Sequence, residues 1–409
     1  MKEGSLRRPA LPPSPENRRW VERNVRWLRG IFRLLLLPKL RITVEGALPT
    51  EGPVLVLANH SHLLDPFVMI LVAGRPIHFL AAESLWLQRF TALFCWLSGA
   101  IPRKKFVNDS LSLRQLRAWK QQGAAVGLFP EGERTWDGRP LPLVPGVEKL
   151  VRLVDAPVVC CRILNGHRHG PRWASNMRNG RIHVIFDPPR YFPKTTDPDE
   201  ILAFIEEKIR VDPHVGEDWP LSGSNLAGGL SNLLFACPSC GAFDRLGESG
   251  DTVRCGACEA GWRVDTRNRL HPLGGGQALE LDQATARLRV LLEQRWEEEA
   301  KQSADTVLLR SEKMTLLRTD GDVVQQVAQG QLCLSREALW VEEGSTERWR
   351  LPFADCTAVA VDLSRRLFYR TRDQQSFEVV LPKESVVKWC WISDHWRRAA
   401  EPPESDTLG

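Results

Sequence analysis

Between residues 16 and 37 the apolar positions Trp20, Val21, Val25, Trp27, Leu28, Ile31, Phe32 and Leu35 recur at helical spacing, with Arg19, Arg23, Arg26 and Arg33 mostly opposite. That period predicts an amphipathic helix. From 40 to 211 the pattern changes. Short apolar runs at 54–57, 125–129, 157–163 and 181–186 alternate with helical stretches at about 66–73, 110–122, 146–154 and 198–210. The alternation predicts an α/β domain with a central, mostly parallel sheet. In such sheets the reacting groups sit on loops beyond the strand ends.

Past 211 the periods change again. Residues 212–232 are rich in Gly, Ser, Asn and Pro and read as a linker. Paired cysteines occupy 233–272. A linker helix within 273–303 is marked by Leu281, Ala284, Leu288, Leu291, Leu292 and Trp296. Residues 304–400 read as a β-rich, barrel-like domain. Its strands fall at about 331–341, 349–351, 357–361, 367–370 and 376–381. A closing helix at about 383–399 carries Val386, Val387, Trp389, Cys390 and Trp396, and a tail at 401–409 follows. Residues 1–15 are Pro-rich and predict disorder, so 1–39 reads as a disordered start followed by the basic helix.

Length and charge narrow the classes. A chain of 409 residues, 43% hydrophobic, is large enough for two or three cores. A net charge of +5 does not describe a nucleic-acid-binding polycation. The charge is uneven: residues 1–40 hold ten Lys/Arg and three Asp/Glu, which suits an anionic surface, membrane or nucleic acid. Arginines on one helix face with Trp, Phe and Leu on the other suit a helix lying in a headgroup layer. The same pattern also fits a helix that packs its apolar face on its own domain. No run reaches the roughly 18–20 apolar residues of a spanning helix. The run from Ile31 to Leu37 is interrupted by Arg33 and ended by Pro38, so the expected membrane association is peripheral. Neither a signal-peptide pattern nor disulfide-like spacing of the unpaired cysteines stands out, which points to a reducing compartment and the cytoplasmic side of a membrane.

Three motifs carry chemistry. At the end of the run 54–57 stands Asn59-His60-Ser61-His62-Leu63-Leu64-Asp65-Pro66. A histidine titrating near neutrality can take a proton from an alcohol, and a neighbouring carboxylate orients it. Asp65-Pro66 is equally a helix N-cap and first-turn pair. The run 125–129 leads into Phe129-Pro130-Glu131-Gly132-Glu133-Arg134, where Gly132 allows close backbone approach and Arg134 offers a planar fork for phosphate. A charged surface turn would look the same. Between them, Gly99-Ala-Ile-Pro-Arg103-Lys104-Lys105 ends in three cations that either meet a phosphate or face water.

The order and spacing of these blocks, followed by Ala156-Pro157-Val158-Val159, resembles the glycerolipid (1-acyl-sn-glycerol-3-phosphate, or lysophosphatidate) acyltransferase family over about residues 40–211. The resemblance implies that His60 is the general base and Asp65 its orienting partner. It also implies that Glu131, Gly132 and Arg134, with Arg103 and Lys105, bind the acceptor and its phosphate. The acyl donor would be a thioester of coenzyme A or acyl carrier protein, and the acceptor a lysophosphatidate or related lysophospholipid in phospholipid biosynthesis. Two positions depart from the family. Glu133 stands where Thr is usual, and Lys105 where Arg is usual. A lysine cannot grip phosphate bidentately, so either Arg103 substitutes or the acceptor headgroup differs.

Cys237-x2-Cys240-x14-Cys255-x2-Cys258 supplies four thiolates for a structural zinc and resembles a zinc ribbon, with a central spacing one residue below the usual window and a redox pair as the alternative. The β-rich region resembles a pleckstrin-homology-like barrel in architecture alone. Such modules bind lipid or protein partners, or only scaffold. Nucleic acid is not an expected partner. The competing expectation is a catalytically retired lipid-binding scaffold that recruits partners through the ribbon and barrel.

Overall fold

The computed structural model describes residues 10–36, 40–87, 89–103, 109–216, 219–320, 323–362, 366–381 and 384–401. The chain divides into two compact units. The first holds the described residues up to Leu226 together with Val264–Arg269. The second takes Ala227–Arg263 and the residues from Leu270 onward.

The first unit begins with α1 (Pro15–Leu36), then β1 (Leu40–Glu45), β2 (Val54–Ala58), α2 (Asp65–Val72) and β3 (Ile77–Ala82). It continues with α3 (Arg89–Ser98), β4 (Ile101–Arg103), α4 (Ser110–Gln121), β5 (Ala125–Leu128), α5 (Val147–Val154) and β6 (Val158–Leu164). It closes with α6 (Gly166–His169), β7 (Asn179–Phe186), α7 (Pro198–Ile209) and β8 (Leu221–Ser222). The sheet runs β1-β7-β6-β2-β5-β3-β4, with β8 on β7. Strands β2 to β6 are mutually parallel, and β7 runs antiparallel to β6. The loops after β2 and β5, which carry the first two motifs, therefore leave from one edge of the sheet, the edge at which Arg103 ends β4.

Strand β2 shows why this sheet is central. All five of its residues are buried, as expected of an apolar run covered on both faces. Val54, Val56 and Ala58 join one core with Val21, Val25, Leu28 and Phe32 of α1 and with α2. Leu55 and Leu57 join the other with Trp119 of α4, Val151 of α5 and Ile205 of α7. Gly127 in β5 is required by closeness, since a Cβ there would lie 2.7 Å from Ile77.

The membrane-helix expectation for α1 is corrected in part. Its stripe Val21, Val25, Leu28 and Phe32 lies in the domain core, because the hydrophobic face of α2 and α3 is the nearest apolar surface. Phe32 meets Phe67 and Phe94 at 5.2 and 5.9 Å. The outward face keeps Arg19, Arg23, Arg26 and Arg33 exposed, with Trp27 at 64% and Leu34 at 77% exposure. No helix among the described residues is long and apolar enough to cross a membrane. The expected linker 212–232 is in part built in: β8 pairs with β7, and Leu226 and Leu230 are buried.

In the second unit, β9 (Leu246–Ser249), β10 (Thr252–Cys255), β11 (Gly261–Val264) and β12 (Leu270–Pro272) form a small sheet. Helix α8 (Leu281–Glu299) follows. Then come β13 (Leu309–Asp320), β14 (Val323–Leu334), β15 (Ala338–Glu343), β16 (Thr346–Pro352), β17 (Cys356–Asp362), β18 (Arg366–Thr371), β19 (Ser376–Val380) and α9 (Val386–Ala399). These strands make an antiparallel sheet in the order β16-β15-β14-β13-β19-β18-β17. The single strand expected over 331–341 is two strands. Ser335 turns the chain, with its amide donating to Ala338 O at 2.9 Å and its hydroxyl accepting from the Glu337 and Ala338 amides. Helix α9 buries Val387, Trp389 and Ile392, and Ser385 caps it by accepting from the Lys388 amide.

Candidate active site and cysteine cluster

The loop from β2 to α2 is tied down at both ends. Asn59 holds its start to β6: its amide nitrogen donates to Ile163 O at 3.1 Å, and its oxygen accepts from Ile163 N at 2.7 Å. Asp65 holds its end. Leu64 occupies the N-cap position of α2 without a side-chain bond. The Asp65 carboxylate instead turns back into the loop, where Oδ2 accepts from Ser61 N at 2.7 Å, His62 N at 2.8 Å and His60 Nδ1 at 2.9 Å. The hydrogen on His60 Nδ1 is the one Asp65 accepts, which leaves the lone pair on Nε2.

His60 stacks on Phe129 at 4.0 Å, and Phe129 stacks on Phe79 at 5.3 Å. Burial lowers the His60 pKa below its ordinary value, partly offset by Asp65. The Arg134 and Arg172 charges push it down further. The ring is therefore neutral at neutral pH and able to accept a proton. His62 does something different. It is buried, its Nδ1 accepts from Leu64 N at 3.0 Å, and burial lowers its pKa to about 4. It shapes the loop.

The second motif meets the first through its backbone. Thr135 N donates to His60 O at 3.0 Å, and Glu131 Oε2 lies 3.4 Å from His60 N. Glu131 is buried, which raises its pKa to about 8, so it is a neutral acid at pH 7. Gly132 has a φ of +73°, and a Cβ there would sit 2.6 Å from Val144. Asn59, His60, Ser61, Glu131, Thr135 and His167 line part of a narrow pocket.

The structure thus brings His60, Asp65 and Glu131 together, with the Arg134 charge felt at His60. Arg103 is exposed at the end of β4. It is on the same sheet edge but three strand spacings from β2, roughly 14 Å. Lys105 lies outside the described residues. Arg172 carries no sequence signal of its own, and Asn59 and Phe129 stand within the quoted motifs without a role assigned there, because the partners of all three are distant in the chain.

The four cysteines form a second cluster, their sulfurs all within 4.8 Å of one another. Two hairpin turns present them with the same bonding. Cys237 N donates to Ala242 O and Cys255 N to Ala260 O. Gly241 N donates to Cys237 O and Glu259 N to Cys255 O. Ser239 N and Ala257 N each lie 3.4 Å from the first sulfur of their turn. The Cys237–Cys258 and Cys240–Cys255 sulfur separations are 3.7 and 3.8 Å. A tetrahedral zinc with four thiolates at ~2.3 Å requires sulfurs about 3.8 Å apart, so the residues fit that ion.

The acyltransferase family profile matches residues 40–164, which include His60, Asp65, Glu131 and Arg134. The 1-acyl-sn-glycerol-3-phosphate acyltransferase alpha of Bos taurus is 32% identical over 199 residues, 46% of this chain and 68% of that protein. The Homo sapiens protein of the same name is 32% identical over 148 residues, 34% of this chain and 52% of that one. Among solved structures, the 1-acyl-sn-glycerophosphate (LPA) acyltransferase PlsC from Thermotoga maritima overlaps at a TM-score of 0.40 with 18% identity, covering 47% of this chain and 79% of that one. With the family profile lying across the His60 and Glu131 loops, and a bovine relative matched over two thirds of its length, the chain belongs to the 1-acyl-sn-glycerol-3-phosphate acyltransferase family.

Proposed function

We propose that this acyltransferase moves a fatty acyl group from a thioester of coenzyme A or acyl carrier protein to the free hydroxyl of a lysophosphatidate or related lysophospholipid, a step of phospholipid biosynthesis. The observation that carries the reading is the Asp65-oriented, neutral His60, whose Nε2 is left to act at the sheet edge beside Glu131. Nε2 takes the hydroxyl proton as the oxygen attacks the thioester carbonyl carbon. The C–O bond forms, the tetrahedral oxyanion collapses, the C–S bond breaks, and the thiolate receives the proton from the imidazolium. Asp65 stabilises that imidazolium. The protonated Glu131 can donate to an acceptor oxygen, and the Arg134 fork suits a phosphate.

The outward Arg and Trp face of α1 supports peripheral docking on an anionic membrane, the phase in which a lysophospholipid acceptor dissolves. The cysteine cluster suits zinc, whose contribution would be structural because four thiolates leave no open position. The barrel-like sheet with its capping helix suits a pleckstrin-homology-like module that binds a lipid or a protein. The function is tested by giving the full chain a labelled acyl-CoA with a panel of lysophospholipids. Transfer to lysophosphatidate is expected. Absence of transfer to every acceptor would favour a retired lipid-binding scaffold.

A further inference from the structure

Arg172 lies beyond β6, outside the segment 40–164 matched by the family profile. Its side chain is only 3% exposed. Its Nη1 donates to Glu133 Oε2 at 3.0 Å and to Arg134 O at 2.8 Å. Its Cζ lies 4.1 Å over the Trp136 ring. One buried cation thus grips three residues of the loop that follows β5. A buried arginine needs a counter-charge, and Glu133 supplies it. That accounts for a carboxylate at the position where the resembled family has Thr.

We propose that Arg172 is a positioning residue for the acceptor headgroup, locking the Glu131–Arg134 loop through Glu133 and the Arg134 carbonyl so that the Arg134 fork stays aimed at the phosphate. The inference rests on the acyl-transfer reading of the site. A lysine could not replace the grip, since a point charge cannot bond two oxygens and stack on an indole with one planar group. The same charge acts on His60, where it helps hold the ring neutral.

The test uses Arg172→Ala and Arg172→Lys in the full chain. It reads KM for lysophosphatidate against kcat, and the titration of His60 by NMR. Arg172→Ala should raise the acceptor KM on the order of tenfold or more and move the His60 titration to higher pH. Arg172→Lys should keep the titration near wild type while the KM still rises. A merely structural arginine would not divide the two readouts in this way. If Arg172→Ala does not fold, Arg172→Lys decides: a wild-type KM there overturns the inference. So does a folded Arg172→Ala with unchanged KM and titration. A wild type without acyl transfer would defeat the functional reading instead, while the His60 titration still tests whether the Arg172 charge reaches the site.

Discussion

His60 and His62 are two positions apart in one loop, and their surroundings give them separate work. His60 bonds Asp65 through Nδ1, which on the proposed mechanism leaves Nε2 for substrate, whereas His62 accepts the Leu64 amide hydrogen at Nδ1. The family resemblance singles out His60 because four residues separate it from Asp65. The helix-cap alternative for Asp65 was also testable only in three dimensions, and the carboxylate bonds the loop instead of capping α2. Arg172 was not legible, because its partners Glu133 and Arg134 are 39 and 38 residues away. At this scale the pH dependence follows. The active His60 is neutral and its pKa is lowered, so activity should persist below the ordinary imidazole range and fail only as the pH falls further. Glu131 is protonated below about pH 8, so loss of its proton should set an alkaline limb near there. A pH–rate profile of Glu131→Gln, which keeps a neutral donor, should lose that limb. A limb still at the wild-type position would show that another group sets it.

Elements were legible where burial is complete on both faces or where one stripe is apolar. Strands β2, β5 and β6 are continuous apolar runs, and α4, α5 and α7 carry clear stripes. Strand β1 escaped because polar and exposed positions break its pattern, β4 because it has three residues, and β3 because His78 interrupts its apolar run. Strand β13 escaped because charged and polar residues interrupt its Met314 and Leu316. Helix α1 was recognised by its period, but the period does not say what the apolar stripe packs against. The structure separates two faces, and each has a consequence. Val25→Asp should lower thermal stability by several kcal/mol, because it buries an unpaired charge in a core that excludes water. Replacing Arg23, Arg26 and Trp27 together by Ser should leave the melting temperature close to wild type and weaken sedimentation with phosphatidylglycerol vesicles, most clearly at low salt. Equal vesicle binding by both proteins would remove α1 from the docking surface.

For the whole molecule, the acyltransferase unit was readable as a unit because its elements alternate, while the rest was read as separate modules joined by linkers. The second unit is instead one body. Asp244 beside the cysteine turns holds the buried Lys388 of α9 at 2.7 Å, and Phe235 meets Trp391 at 5.9 Å. Those contacts join residues about 150 positions apart, beyond any local pattern. Metal binding should therefore support α9 as well as the cysteine turns. The protein as purified should carry about one zinc per chain. Chelation should speed amide hydrogen exchange in both 233–272 and α9 while leaving β2, β5 and β6 protected. Exchange unchanged in α9 after zinc removal would show that the two parts are stabilised independently.

The central claim is that His60 performs the proton transfer of acyl transfer. It is tested most directly by single-turnover transfer from labelled acyl-CoA to lysophosphatidate by His60→Ala beside wild type, at saturating substrates and matched thermal stability. A loss of roughly 10²-fold or more in the rate of the chemical step is expected, by the ordinary contribution of a general base. A folded His60→Ala protein that transfers the acyl group at the wild-type rate would contradict it.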